Sequence, residues 1–330
     1  MARVRAEIIT ESRMKTLEIK SGKYTIEVKT EGEGPLILCV HGWPESWYSW
    51  RHQMSHFAPK GYQVAAMSVR GYGNSSHPVG IEDYTLQALS DDIAAVARAL
   101  SPRPAILFGH DWGAPQVYIA ALRFPELFSA VAGLSVPFSP PSDSSMLDLW
   151  GLAYQGRFFY QTYFQKPGAV EAELSEDVGL ALRKIYFALS GEAPLNEWIK
   201  AKPQDAGLLD GLIDPEPFPD WMTMDDFAVY IDAFEKAGFV GPIHRYRAVP
   251  FDAALLPELN GRSLSQPSCF IGGSRDAVRS FIPGMDLYND PGANCDDFFE
   301  STLIEGAGHW VQQEAPAETN LALERFLKNL

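Results

Sequence analysis

PAILFGHDWGAPQVYIAAL (residues 104–122) joins a short apolar run to a segment with helical spacing through the turn GHDWG. The run PAILF is typical of a strand buried on both faces of a parallel sheet, and the apolar residues after Ala114 recur at helical intervals. Gly109 and Gly113 allow a tight turn that exposes the side chain of Asp111 between them. This unit predicts an α/β sheet with a reactive residue at the end of a strand.

The segments on either side continue this alternation of strands and helices. An antiparallel hairpin is predicted in KTLEIKSGKYTIEVKTEG (15–32), and a terminal amphipathic helix in AETNLALERFLKNL (317–330). The alternation predicts an α/β fold with a mostly parallel sheet. Further strands are predicted within 35–42, 62–73, 129–136, 265–277 and 298–309, and helices at 86–100 and 114–125.

The alternation stops after Pro137. Residues 138–247 are rich in aromatic residues and prolines, and they carry helical periodicity at 176–191 and 224–239. We therefore expect a helical lid at 138–247, inserted between a first part of the core at 1–137 and a second part at 248–330. Met14 is a second candidate initiator, which would leave residues 1–13 as a loose extension.

The composition excludes several classes of function. The chain has 330 residues, 46% of them hydrophobic and 21% charged, which are ordinary values for a globular protein. A net charge of −15 disfavours nucleic acid and anionic membranes as partners. No apolar run is long enough to span a membrane, and the N-terminus lacks a secretory signal. Cys39, Cys269 and Cys295 show no C-x-x-C spacing, so we expect reduced cysteines in a cytoplasmic protein.

Three residues form a candidate catalytic triad. The turn around Asp111 usually reads G-x-S-x-G, and an aspartate at its centre is an ionised nucleophile in its own right. Asp276 and His309 each follow a predicted strand, where catalytic groups of such sheets gather. Their chain order is that of nucleophile, acid and base. Each has a plainer alternative: a helix cap for Asp111, a turn residue for Asp276 and a hydrogen-bonded loop histidine for His309.

HGWPESWYSWR (41–51) directly follows the predicted strand at 35–42. Its turn can direct the backbone N–H of Trp43 at Asp111. Together with the backbone N–H of Trp112, it would form an oxyanion hole. The side chains of both tryptophans are expected in the wall of a substrate pocket.

The sequence closely resembles the epoxide hydrolases of the α/β-hydrolase fold. The resemblance covers nearly the whole chain from residue 23 onward. Part of the motif pair HGWPESW and GHDWG also occurs in haloalkane dehalogenases, whereas the blocks in the lid are more specific. The matching blocks are HGWPESWYSWR (41–51), RGYGNSS (70–76), GHDWGA (109–114), YQTYFQKPGAVEAEL (160–174), DWMTMDDFAVYIDAFEKAGFVGPIHRYR (220–247), GSRDA (273–277) and GAGHW (306–310).

The resemblance implies two lid tyrosines that hydrogen-bond the epoxide oxygen, and the blocks assign them to Tyr160 and Tyr246. Tyr154 and Tyr163 are the nearest competitors of Tyr160. The sequence departs from the family pattern at three positions. Trp43 stands where phenylalanine is usual, and His244 and Arg245 stand where Asn-Trp is usual.

The resemblance also implies the reaction and its requirements. Asp111 would open an epoxide as an alkyl ester, water would release a vicinal diol, and neither metal nor organic cofactor would be needed. The alternative is a haloalkane dehalogenase with the same Asp-Asp-His triad, although such enzymes need an Asn or a second Trp to bind halide. A non-catalytic binding protein or a serine esterase is a weaker alternative. Small-molecule detoxification is the expected role, and the sequence leaves a homodimer open.

Overall fold

The described part of this computed structural model, residues 14–330, contains one sheet of eight strands. The expected extension at residues 1–13 lies outside the described residues. The spatial order is β1-β2-β4-β3-β5-β6-β7-β8, and only the β1–β2 and β2–β4 pairs are antiparallel. The predicted mostly parallel α/β sheet is confirmed. The strands are β1 (Lys15–Ser21), β2 (Tyr24–Glu31), β3 (Leu36–Val40), β4 (Gln63–Met67), β5 (Ala105–His110), β6 (Phe128–Leu134), β7 (Ser268–Gly273) and β8 (Phe298–Ile304).

Helices cover both faces of the sheet. Short 3-10 turns at Trp47–Trp50, Ala58–Lys60, Ile81–Tyr84, Pro257–Leu259 and Ala277–Ser280 complete the connections. None of the helices in the described residues is long and apolar enough to cross a membrane. The helices are α1 (Arg51–Phe57), α2 (Leu86–Leu100), α3 (Gly113–Arg123), α4 (Met146–Ala153), α5 (Tyr160–Tyr163), α6 (Ala169–Glu176), α7 (Val178–Ala188), α8 (Met224–Ala237), α9 (Val240–Arg247), α10 (Val249–Leu255), α11 (Val311–Glu314) and α12 (Pro316–Leu327).

Strand β3 illustrates why the central strands are apolar throughout. All five of its residues are buried. Leu36, Leu38 and Val40 point into the hydrophobic core on one face of the sheet, and Ile37 and Cys39 point into the core on the other face. Successive side chains of a strand point to opposite faces, so a strand covered by helices on both sides needs apolar residues at every position.

Helices α4 to α10 lie between β6 and β7. Helix α8 begins with a capping box, in which the side chains of Thr223 and Asp226 each accept the other's backbone N–H. Helix α10 and the turn at Pro257–Leu259 continue the helical region beyond residue 247, and residues 260–267 then lead into β7. The division of the chain at 137/138 and 247/248 stays a prediction.

The sheet brings four loops to one edge. Strands β3, β5, β7 and β8 run parallel, so the loops that follow them leave from the same edge of the sheet. Strand β3 pairs with β5 on one side and with β4 on the other, which makes the β3/β5 boundary the point where the strand order reverses. Ligand sites of α/β sheets form at such a point.

Candidate active site

Asp111 occupies the sharp turn between β5 and α3. Its φ of 50° lies in the left-handed region, which is uncommon for residues other than glycine. The flanking glycines make the turn possible, because a Cβ on Gly109 would come within 2.5 Å of the Gly113 carbonyl oxygen and a Cβ on Gly113 within 2.0 Å of the Val40 carbonyl oxygen. No side chain caps the start of α3. The carboxylate of Asp111 instead faces the loop after β3.

The backbone amide of Trp43 bonds one oxygen of this carboxylate, and that of Trp112 lies nearby. The Trp43 N–H donates to Asp111 Oδ1 over 2.7 Å. A Cβ on Gly42 would come within 2.2 Å of that oxygen and within 2.6 Å of the Trp112 backbone nitrogen, so both atoms border the same point. The structure thus brings the two amides predicted from the sequence to one side of Asp111, with a Trp43 hydrogen bond already made.

His309 lies between the other two predicted triad residues. Its Nε2 atom is 3.2 Å from Asp111 Oδ2, and its Nδ1 atom is 2.9 Å from Asp276 Oδ2. The side chains of His309 and Asp276 are almost fully buried, whereas that of Asp111 is 15% exposed. The second oxygen of Asp276 accepts the Val278 N–H over 2.9 Å, so Asp276 is a turn residue and a partner of His309 at once.

The two carboxylates control the protonation of His309. Burial lowers the pKa of His309, but the charges and hydrogen bonds of Asp276 and Asp111 outweigh burial and raise it well above the ordinary value. Loss of the charge on Asp111 would remove part of this effect. In an ester of Asp111, the imidazole would therefore be a stronger proton donor, and its neutral form would be more accessible as a base.

Tyr160 and Tyr246 lie together opposite Asp111. Tyr160 is the first residue of α5 and Tyr246 belongs to α9, and their ring centroids are 5.8 Å apart. The ring of Tyr246 also contacts the rings of Trp43 and Trp112. Burial raises the pKa of both phenols, and the nearby charge of Asp111 raises it further. Both hydroxyls therefore stay protonated at neutral pH and can donate hydrogen bonds.

The competing tyrosines have other partners. The Tyr163 hydroxyl donates to Glu173 Oε2 over 2.8 Å, and the Tyr154 hydroxyl donates to the Phe281 carbonyl oxygen over 2.7 Å. Tyr160 accepts a hydrogen bond from the side chain of its neighbour Gln161 over 2.9 Å, which leaves its own proton available.

A cavity of about 570 Å³ is bordered by two of the three predicted triad residues and by both tyrosines. Asp111, His309, Tyr160 and Tyr246 all border it, and so do the side chains of Trp43 and Trp112. The volume is within the usual range of small-molecule sites. Asp276 is absent from the lining and acts on the cavity only through His309.

Comparison with known proteins agrees with this geometry. Residues 35–316 match the family model described as alpha/beta hydrolase fold. The chain is 35% identical to Epoxide hydrolase A of Mycobacterium tuberculosis over 304 residues, which cover 91% of this chain and 92% of that protein. The chain belongs to the epoxide hydrolases of the α/β-hydrolase fold.

Other epoxide hydrolases match over similar lengths. Bifunctional epoxide hydrolase 2 of Rattus norvegicus is 34% identical over 90% of this chain, but the match covers only 52% of that longer protein. The structure of an epoxide hydrolase from an endophytic Streptomyces superimposes with a TM-score of 0.90 at 38% identity, over 97% of this chain and 96% of the other.

The two lid departures from the usual epoxide hydrolase sequence have structural partners. Arg245 forms an ion pair with Asp252 of α10 and also donates to the Tyr84 carbonyl oxygen. Its guanidinium group lies 4.7 Å from the Trp112 ring centroid. His244 Nε2 lies 3.2 Å from the Val79 carbonyl oxygen. Both residues therefore join the lid to the core rather than entering the cavity.

Three residues that support the site were missed by the sequence analysis. The Tyr288 hydroxyl, 2.6 Å from Asp276 Oδ2, holds the triad acid. Glu45 accepts the Gly42 N–H over 2.7 Å, next to the Trp43 amide. Glu314 accepts the backbone N–H groups on either side of His309. Glu45 is part of the motif HGWPESWYSWR (41–51), but no pattern in the sequence distinguishes Tyr288 or Glu314.

Proposed function

We propose that the protein hydrolyses epoxides to vicinal diols through an ester of Asp111. The proposal rests on the different surroundings of the two oxygens of this carboxylate. Oδ1 accepts the Trp43 amide, while Oδ2 faces His309 in the cavity shared with two buried phenols. The similarity to characterised epoxide hydrolases supports the same reaction.

The first step forms the ester. Oδ2 of Asp111 attacks a ring carbon, the C–O bond of the epoxide breaks, and its electron pair passes to the ring oxygen. That oxygen takes a proton from Tyr160 or Tyr246 and becomes a hydroxyl group. Buried neutral phenols suit this task because they donate a proton without first bringing a positive charge into an apolar cavity.

The second step hydrolyses the ester. A water molecule gives a proton to Nε2 of His309 and attacks the carboxyl carbon of Asp111. The oxyanion forms on Oδ1, where the Trp43 and Trp112 amides stabilise it. The bond from the carboxyl carbon to Oδ2 then breaks, and the departing alkoxide takes the proton from His309. The proton left on the carboxyl group returns through solvent to the tyrosine, and the vicinal diol leaves.

Trapping the ester tests the proposal. His309→Gln removes the base but keeps the nucleophile, so styrene oxide should leave an adduct equal to its own mass on the peptide that contains Asp111. Mass spectrometry of that peptide is the measurement, with Asp111→Asn as a control that forms no adduct. Wild-type turnover combined with an unmodified peptide in His309→Gln would reject the ester.

Isotope labelling separates the ester route from direct attack by water. In a single turnover in H₂¹⁸O, the ester route places the label on Asp111 and leaves the first diol unlabelled. Direct attack of water on the ring places the label in the first diol. Mass spectra of the diol and of the peptide distinguish the two outcomes.

Halide release from bromoalkanes tests the dehalogenase alternative from the sequence analysis, and release of halide without diol formation would favour it.

The remaining interpretations stay predictions: a cytoplasmic location, no nucleic-acid or membrane partner, no cofactor, and a homodimer as an open option. The proposed steps use the substrate, water, and side chains and backbone amides of this chain.

A further inference from the structure

The walls of the active-site cavity are mainly apolar beyond the triad. Phe138, Trp150 and Phe281 are buried side chains along it, and they belong to different elements of the core and the lid. An apolar substituent that covers these walls is removed from water, which favours binding in proportion to the apolar area buried. The cavity is also much larger than an epoxide ring requires.

The cavity reaches the surface at a mouth formed by its exposed lining residues. The mouth carries an acidic side chain, Asp290, and two large apolar side chains, Met146 at 46% exposure and Leu149 at 38% exposure. The mouth residues are Ser139, Ser142, Ser144, Met146, Leu149 and Asp290.

In the described part of the chain, the cavity lining has acidic side chains but no lysine or arginine. Among the described residues that line the cavity, Asp111, Asp252 and Asp290 are acidic, and none is lysine or arginine. Arg245 lies near Trp112 but is paired with Asp252 and does not line the cavity. Arg279, the chain neighbour of the lining residue Val278, is paired with Asp286. Among the described lining residues, His309 is the side chain that can carry a positive charge, and it is already paired with Asp111 and Asp276. An anionic group in the cavity away from His309 would therefore lose water without gaining a cationic partner, which is costly.

We propose that the preferred substrate is an uncharged epoxide with a long apolar substituent, and that the mouth disfavours an anionic substituent of equal length. The substituent lies along the apolar walls with its far end at the mouth, while the epoxide ring lies between Asp111 and the two tyrosines. This inference rests on the proposed epoxide hydrolase activity and narrows its substrate class.

A series of 1,2-epoxyalkanes from four to ten carbons tests the proposed preference for a long apolar substituent. Each additional CH₂ that is fully buried should raise kcat/KM by about three- to fourfold. The rise should end when the substituent reaches the mouth. A kcat/KM that does not change with chain length would overturn the inference.

A matched pair of substrates, one neutral and one anionic, tests whether a negative charge on the substituent is disfavoured. At pH 8, the neutral 10,11-epoxyundecanamide should have a kcat/KM at least about tenfold above that of 10,11-epoxyundecanoate. Asp290→Lys should reduce this preference by about tenfold, and added salt should also weaken it. Glu18→Lys is the control. It makes the same change in net charge at an exposed position of β1, and it should leave the preference for the amide unchanged.

Two outcomes contradict the inference: a carboxylate substrate hydrolysed as fast as the amide, or an equal effect of Asp290→Lys and Glu18→Lys. Both leave the epoxide hydrolase activity intact, since diol is still formed. Failure of the proposed function looks different, because no diol appears from either substrate and His309→Gln forms no ester.

Discussion

Asp111 combines an unfavourable backbone conformation with a favourable environment for its charge. A residue at φ 50° costs free energy relative to the usual regions. The turn is held by the close approach of Gly109 and Gly113 to neighbouring backbone. The result is a carboxylate projected from the sheet edge, with one oxygen bound to the Trp43 amide and the other facing His309.

His309 should make the stability of the protein depend on pH. The pKa of His309 is raised in the folded state, so the folded protein binds this proton more tightly than the unfolded chain. The resulting stabilisation is fully present below about pH 6.5 and is lost as the pH rises through the folded-state pKa. His309→Gln lacks it. We expect the stability advantage of the wild type over His309→Gln to shrink by up to about 1.4 kcal/mol per pH unit over that interval.

Urea unfolding between pH 6 and pH 10 measures this difference. His77→Gln replaces an exposed histidine remote from the triad and serves as the control. A stability difference that is the same at every pH would show that the carboxylates do not favour a charged His309.

The two lid tyrosines should act in ester formation. Tyr160→Phe and Tyr246→Phe each remove a proton donor for the ring oxygen, and we expect each to slow ester formation by about 10²-fold. The double variant should be slower than either. The rate can be followed by stopped-flow tryptophan fluorescence, because Trp43 and Trp112 border the reacting group.

Tyr163→Phe is the matched control for these variants. Its hydroxyl is bonded to Glu173, so its removal should leave the rate of ester formation unchanged. Wild-type rates in both single variants and in the double variant would assign proton donation to another group.

At the scale of elements, the loop after β8 depends on a short helix that follows it. Glu314, the last residue of α11, accepts the N–H groups of Gly308 and Trp310 over 2.9 Å each, and of Gly191 over 2.8 Å. His309 itself donates its N–H to the Leu189 carbonyl oxygen over 2.8 Å. The backbone of His309 is therefore fixed between α11 and the chain just after α7.

Glu314→Ala should damage this loop. It leaves three backbone N–H groups without their acceptor, so we expect a loss of about 2–4 kcal/mol in the free energy of unfolding. Because the loop carries the base, ester hydrolysis should slow more than ester formation, and pre-steady-state kinetics separate the two. Glu305→Ala, at an exposed position after β8, is the control. An unchanged ester hydrolysis rate would limit Glu314 to a structural role.

At the scale of the whole molecule, the helical region covers the sheet edge and encloses the cavity. The ion pair between Arg245 and Asp252 is one of its attachments, because Asp252 also accepts the Leu86 N–H over 2.8 Å at the start of α2. The side chains are only 4% and 16% exposed. The Tyr186 hydroxyl of α7 adds a second attachment by donating to the Pro44 carbonyl oxygen over 2.9 Å.

Arg245→Met should weaken this attachment. It leaves Asp252 mostly buried without its cation, which we expect to cost about 2–4 kcal/mol in the free energy of unfolding, given the partial exposure of Asp252. Adding Asp252→Leu removes the lone charge and should recover part of the loss. Urea unfolding measures both variants.

Lys236→Ala breaks the exposed pair with Asp232 in α8 and is the control, with an expected change within about 0.5 kcal/mol. If Arg245→Met is as stable as Lys236→Ala, the ion pair does not hold the lid to the core.

The alternation of strands and helices, the turn around Asp111 and three of the loops at the sheet edge can all be predicted from the amino-acid sequence. These features are local, because a period of two or 3.6 residues and a glycine at a tight turn leave a direct pattern in neighbouring residues. The tertiary structure decided which of these loops meet. His309 and Asp111 are 198 positions apart, and only the strand order brings them within hydrogen-bonding distance.

The tertiary structure also decided the supporting contacts and the charge of the cavity. Tyr288 reaches Asp276 from a loop without a recognisable motif, and Arg245 lies behind Trp112 because Asp252 binds it there. Such contacts depend on the distances between side chains from separate elements. The local sequence around each residue does not predict those distances, because the same residue could equally lie on the surface or in the core.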